Sequence, residues 1–392
     1  MIIKLGFSIY SQRRQQLIGL AIVVLVAIFG TVLIIFSHAA TPFASYEAEN
    51  GSLGNGATAQ SNSNASGGSY VKFGSSAVVT NPASKLTISV NNTIGWGPSS
   101  SEPSATLNKI GVTWTRIDIG MGTNTSLLST AMSENMHPFP LLTGGTTDGN
   151  CNGVSPSTIG STVTGLISTL EMDKITTLEI CNESYLSETD ASYAAQYNAA
   201  HAALAGTGIK ALAVATALST TCGAGDASPN WIPDVIHDLP GGESEVDGWT
   251  IHPYGPMTGS EYCASNPNGY GWEDVPDWHT IAVNAGSHAP WYITEVGQCI
   301  GNLSGQSGCN NPVTESTQAT DMTQYLNDTL TKYTWVVFLN WYSSCDDGSG
   351  EYGLVNREGG SPGGTGTCDA GPRPAFTALQ NWVTTNKSNL ND

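Results

Sequence analysis

Two glutamates stand out by position more than by residue type. Glu183 falls in the segment TLEICNES, residues 177–184, and Glu295 in WYITEVGQ, residues 291–298. The chain has 32 acidic residues, and most acids sit in solvent, so acidity alone distinguishes neither. What distinguishes them is the short apolar run before each, which reads as a strand delivering a carboxylate to the rim of a sheet. Two carboxyl groups facing each other across a sugar-sized gap can cleave a glycosidic bond. One protonates the departing oxygen while the other attacks the anomeric carbon or activates a water.

Other polar and aromatic residues fall at similar places. Asn182 precedes Glu183; GWTIHPYG supplies His252 and Tyr254, WTRID supplies Arg116, and FLNWY supplies Trp341. Glu179 shares strand parity with Glu183 and would point inward, where an unpaired carboxylate is costly, so it needs a partner such as Arg116. Trp272 and Trp278 lie in a proline-broken acidic segment, where packing of the following helix is expected ahead of a role in outer subsites. Asn182-Glu183-Ser184 is formally a glycosylation sequon, but a glycan there would block the acid. Asp346-Asp347-Gly-Ser-Gly lacks the later ligands of a calcium loop, and no metal site or cofactor is expected.

Positioning these groups requires a closed scaffold. Strand-like apolar runs fall at 86–89, 113–119, 138–142, 176–181, 209–215, 248–252, 291–295 and 335–340. Several are apolar almost throughout, as strands buried on both faces are. Amphipathic or alanine-rich stretches lie between them. The clearest, Ser187 to Gly206, has Ser187 and Asp190 spaced as a capping box and Gly206 as a stop. Eight alternations over about 300 residues indicate an α/β fold, a (β/α)₈ TIM barrel. A doubly wound open sheet is the alternative, but IGWGPSSSEP after the first run lacks the G-x-G-x-x-G spacing of a phosphate loop.

On these motifs the chain from about Leu86 to Trp382 resembles clan A glycoside hydrolases. The resemblance rests on NE, HPY, TEVG and NWY occurring in order on strands four, six, seven and eight. It implies Glu183 as acid/base and Glu295 as nucleophile of a retaining hydrolase of β-linked polysaccharide or oligosaccharide. It also implies that Asn182 bonds the 2-hydroxyl, that His252, Tyr254 and Arg116 support the carboxylates, and that Trp341 is an aromatic platform. For retention the carboxyls should stand ~5–5.5 Å apart, with Glu183 held protonated by burial and by the charge of Glu295. A wall-remodelling transglycosylase using the same residues, or a non-catalytic carbohydrate-binding surface protein, are the competing readings.

Composition and the N-terminus bear on where the chain works. It has 392 residues with a net charge of −19; the first forty hold three bases and no acid, leaving 10 bases against 32 acids thereafter, a net −22. So acidic a surface repels phosphate backbones and argues against nucleic acid. Leu17 to Phe36 contains no charge and follows Arg13 and Arg14. That pattern is a signal peptide or an uncleaved anchor, placing the rest outside the cytoplasm. Membrane contact is then limited to this segment, and a monomer is expected.

The stretch SYEAENGSLGNGATAQSNSNASGGSYVKFG resembles the opening of family 6 and 35 carbohydrate-binding modules, but about thirty residues are too few for a sandwich. The expected organisation is thus 1–40 leader or anchor, 41–85 linker or truncated module, and 86–392 barrel. All eight cysteines lie between Cys151 and Cys368, an even number in an exported chain, which reads as disulfides. Of the 105 pairings eight cysteines allow, the least demanding are local: Cys151–Cys181, Cys222–Cys263, Cys299–Cys309 and Cys345–Cys368.

Overall fold

The computed structural model describes residues 58–61, 69–72, 85–91, 107–144, 149–217, 230–254, 272, 275–301, 309, 312–346, 350–355 and 371–391. The chain divides into two units, Met1–Thr80 and Asn81–Asp392. Described in the first is an antiparallel hairpin pairing Thr58–Ser61 with Ser69–Lys72. The apolar run at 17–36 and the rest of the module-like stretch lie outside the described residues. Among the described residues, no helix is long and apolar enough to cross a membrane.

The second unit is a closed parallel barrel. Its strands are β1 (Thr87–Val90), β2 (Trp114–Asp118), β3 (His137–Leu142), β4 (Thr177–Ile180), β5 (Lys210–Ala217), β6 (Trp249–His252), β7 (Trp291–Val296) and β8 (Val336–Trp341). They pair in chain order and β8 closes onto β1. All eight expected runs are strands, with ends shifted by a few residues. Helices follow the strands and take their numbers: α1 (described over 107–110), α2 (Ser126–Ser133), α3 (Pro156–Met172), α4 (Asp190–Leu204), α5 (Trp231–Asp238), α6 (Val275–Asn284), α7 (Glu315–Thr331) and α8 (Pro374–Asn386).

Local chemistry explains where several elements begin and pair. In α3, Ser155 caps the first turn by accepting from the Thr158 amide, Pro156 takes the first helical position, and Ile159, Val163, Leu166 and Leu170 bury one face. The capping box expected at Ser187 is not used. A 3₁₀ turn at Ser184–Leu186 occupies that stretch, with the Ser187 amide bonded to the Ser184 carbonyl, and Thr189 caps α4 from the Ser192 amide. Gly206, at φ +81°, follows the last turn as expected. Tyrosines on α4 tie it to the barrel: the Tyr193 hydroxyl donates to the Ile180 carbonyl at 3.2 Å, and that of Tyr197 to the Ala211 carbonyl at 2.9 Å.

Strand β3 carries two prolines in a barrel interior, where a proline costs a ladder hydrogen bond. His137, Phe139 and Leu141 bond toward β2, whereas Pro138 and Pro140 lack the amides that would bond toward β4. Pairing between β3 and β4 is accordingly confined to Leu141 with Glu179 and Leu142 with Ile180. The ladder forms only next to the end of the strand that delivers the functional residues.

The barrel is filled in layers. Phe139, Leu212, Tyr292 and Phe338 form an apolar plug, with Phe139 and Phe338 stacked at 4.2 Å between ring centroids. Further along the strands the interior turns polar, with Arg116, Glu179, Thr294 and Asn340 all buried. Truncating Phe338 to alanine would leave a cavity in a closed barrel that cannot collapse freely. The expected loss is about 3–5 kcal/mol, read by chemical denaturation; a loss under ~1 kcal/mol would contradict the plug.

Candidate active site

Arg116 points up from β2 and is 3% exposed. Its guanidinium donates to three acceptors from two other strands. Nε reaches Glu179 Oε2 at 2.7 Å, Nη1 reaches Glu295 Oε1 at 2.6 Å, and Nη2 reaches Asn182 Oδ1 at 3.0 Å. Such rigid, charge-assisted forks are what arginine supplies and lysine does not. Glu179 is fully buried, and its second oxygen accepts from the Thr294 hydroxyl at 2.9 Å. Arg116 is thus the partner that its inward parity required.

Backbone irregularities aim the two outer carboxylates. At the end of β4, Cys181 (φ +64°) and Glu183 (φ +44°) adopt left-handed conformations, uncommon without glycine. The Cys151–Cys181 disulfide and the bond from the Asn182 amide to the Gly149 carbonyl anchor this turn. On β7 the register against β8 slips: Leu339 pairs with Ile293 but Trp341 pairs with Val296. β7 therefore carries one extra residue, a bulge. It lets Thr294 face the interior while the adjacent Glu295 still reaches the mouth.

His252 and Tyr254, at the end of β6, complete the set. The Tyr254 hydroxyl donates to Glu295 Oε2 at 2.7 Å. His252 Nδ1 lies 2.8 Å from Glu183 Oε1, and Nε2 lies 3.0 Å from Thr294 Oγ1. The Thr294 proton is already given to Glu179, so Thr294 accepts from His252 Nε2–H. A single proton is then shared between His252 Nδ1 and Glu183. Burial opposes ionisation of Glu295, but the charges of His252 and Arg116, with the bonds from Tyr254 and Arg116, outweigh it and hold this carboxyl below its ordinary range. Burial likewise opposes an imidazolium at His252; Glu295 and Glu183 more than offset it and raise its pKa.

Glu183, His252 and Glu295 each bring a ligand atom to within 4.8 Å of the others. This is a donor set compatible with a metal ion, yet its groups are already engaged. Arg116 compensates Glu295, and His252 is held toward its protonated form. The arrangement suits proton transfer and attack at one carbon.

The structure brings Asn182, Glu183, His252, Tyr254, Glu295 and Arg116 together, but not Trp341. Trp341 is 1% exposed and faces outward, with its ring 6.2 Å from Tyr325 of α7. In β8, Phe338 and Asn340 face inward, so the alternation of side chains sends Trp341 the other way. The next residue, Tyr342, turns toward the mouth, its ring 6.4 Å from Tyr254 and 5.6 Å from Tyr352. Sequence reasoning passed over Tyr342, Tyr352, Thr294 and Asp118. Strand parity on β8 and β2 pointed to Tyr342 and Asp118, whereas the bulge left no trace in the sequence. Trp272 and Trp278 are buried packing residues, the former bonded to Asp328.

The loops after β7 and β8 are fastened to each other. Cys299 pairs with Cys309, and Ile300 and Gly301 exchange backbone bonds with Glu351. Asp346 is buried in a fork with Arg373 at 2.5 and 2.8 Å, whereas Asp347 of the calcium-like motif lies outside the described residues. Cys345 is disulfide-bonded, with its partner outside the described residues. The Cys222–Cys263 pairing falls wholly outside them.

No family model and no curated protein matches the chain. Solved structures do. A family 39 glycoside hydrolase from Bacteroides cellulosilyticus WH2 superimposes with a TM-score of 0.54 at 15% identity, over 80% of this chain and 66% of that one. Fungal β-1,4-galactanases superimpose with a TM-score of 0.52 at 12% identity, over 71% of this chain and 90% of theirs. This chain therefore spans about two thirds of the first structure and most of the second. At such identities the likeness is one of fold: an eight-stranded parallel barrel with helices, shared with glycoside hydrolases.

Two outcomes test the geometry. Arg116→Met strands Glu179 without a cation and should cost about 3–5 kcal/mol. Adding Glu179→Leu should recover part of that loss in denaturation experiments, and no recovery would contradict the pairing. His252 has a raised pKa, so its contribution to stability is complete below its ordinary 6.5 and fades as pH climbs through the raised value. The stability gap between wild type and His252→Asn should accordingly narrow above pH 6.5; a gap that widens would reverse the assignment.

Proposed function

We propose that the chain is a retaining glycoside hydrolase acting outside the cytoplasm on β-linked polysaccharide or oligosaccharide. The observation that carries this reading is the approach of Glu183 and Glu295 oxygens to within 4.8 Å of each other. Retaining enzymes place their carboxyls ~5–5.5 Å apart, whereas inverting ones leave ~6.5–9.5 Å for a water. The fold likeness includes β-1,4-galactanases, which supports a β-linked glycan as the substrate class. Two disulfides among the described residues support an oxidising compartment.

In the first step Glu295 attacks the anomeric carbon and the glycosidic C–O bond breaks. The departing oxygen takes, through Glu183, the proton that Glu183 shares with His252 Nδ1. In the second, Glu183 removes a proton from water, the water oxygen bonds the anomeric carbon, and Glu295 leaves as carboxylate. Configuration is inverted twice and so retained. His252, with Nε2–H fixed on Thr294, accepts or returns a proton at Nδ1 and compensates Glu183 through both steps. Asn182, oriented by Arg116, is the amide placed to bond the 2-hydroxyl. Tyr342 takes the role of aromatic platform expected of Trp341.

Glu295→Gln should lower kcat by at least ~10³-fold while substrate binding persists. The first product seen by proton NMR should keep the β configuration; an α product would contradict the mechanism. Because Glu295 is held below its ordinary 4.5, it stays ionised on acidification, and the acid limb of kcat/KM should lie below pH 4.5. A limb above that value would assign the limb to another group.

A further inference from the structure

Asp118 ends β2 two residues beyond Arg116, on the same inward-facing side of the strand, and pairs in register with Leu141. It is the most solvent-open residue of its strand, at the point where the barrel interior meets the mouth. Among the described residues no donor bonds its carboxylate. This distinguishes it from Glu179, Glu183 and Glu295, each of which is held by side chains named above. Solvent reaches Asp118, yet protein surrounds it. That enclosure pushes its carboxyl above the ordinary range; Arg116 and His252 work the other way, and Glu295 and Glu179 add to the rise. A carboxylate within the field of Glu295 and His252, with neither oxygen bonded by a donor among the described residues, stands at the solvent-open end of its strand.

We infer that Asp118 determines specificity, accepting hydrogen bonds from hydroxyl groups of the sugar held beside Glu295 and so selecting neutral over anionic glycans. The inference rests on the proposed hydrolase reading and deepens it. A carboxylate has two acceptor oxygens and suits neighbouring hydroxyls on one ring. It also repels a uronate placed against it, since like charges at that range disfavour each other. The net −22 beyond residue 40 acts in the same sense at long range.

The test compares wild type, Asp118→Asn and Asp118→Ala on the best neutral aryl β-glycoside, its monodeoxy counterparts and its counterpart oxidised to the acid at C6. Wild type is expected to favour the parent over one monodeoxy counterpart by about 10- to 150-fold in kcat/KM, the range of a hydrogen bond to a charged group. Asp118→Ala should erase that preference while leaving the others. Asp118→Asn should narrow the discrimination against the oxidised sugar. Thermal unfolding should be unchanged in both variants. Equal losses by Asp118→Ala on every counterpart, or no loss at all, would overturn the inference. A wild type that cleaves none of the glycosides would instead defeat the hydrolase reading itself.

Discussion

Arg116 is buried among acceptors contributed by β4 and β7, and no other cation among the described residues replaces it there. Remove its charge and Glu179 becomes an unpaired carboxylate in the barrel interior, a condition that costs several kcal/mol. The same guanidinium sets the oxygen of Asn182 and one oxygen of Glu295 in fixed directions. Structure and reactivity meet in this one group. The charge that makes Glu179 tolerable also acts with His252 to keep Glu295 ionised, and the Glu179–Thr294 bond in turn fixes which nitrogen of His252 carries its own proton. The network is continuous from the barrel interior to Glu183.

The scaffold serves this network by dividing the barrel interior in two. An aromatic plug fills the space nearer the strand starts, and a buried polar layer lies beyond it. Where the carboxylates emerge the scaffold departs from regularity: left-handed residues and a disulfide after β4, a bulge in β7. Regular strands would have turned Glu295 away from the side that Thr294 occupies. The loops after β7 and β8 are tied to each other by backbone pairs, the first closed internally by a disulfide and the second by the Asp346–Arg373 fork, and Tyr342 and Tyr352 lie close to Tyr254.

Much of this was legible in the chain because it depends on burial. Strands covered on both faces read as apolar runs, and a polar residue at the end of such a run has one place to go. That logic located Glu183, Glu295, His252, Tyr254 and Arg116, and anticipated the Arg116–Glu179 pair. It failed where a one-residue shift mattered. Trp341 and Tyr342 are neighbours of similar chemistry, and only the pairing of β8 decides which faces the mouth. The bulge at Thr294–Glu295 arises from the fit between two strands distant in sequence, so no local pattern encodes it. Asp118 was passed over because WTRID draws attention to its arginine, although parity places the aspartate on the same face. Ser187 is not the cap because a 3₁₀ turn ends beside it and α4 starts only at Asp190, where Thr189 takes that place.

The central claim is that Glu295, held ionised by His252 and Arg116, bonds covalently to the sugar. Incubating the protein with an activated 2-deoxy-2-fluoro β-glycoside slows the second step and lets the intermediate accumulate. Mass spectrometry of the digested protein should then find one fluorosugar, attached to the peptide that contains Glu295 and absent from Glu295→Gln. Attachment to another residue, or turnover of the natural substrate with no adduct under these conditions and an inverted product, would contradict the account.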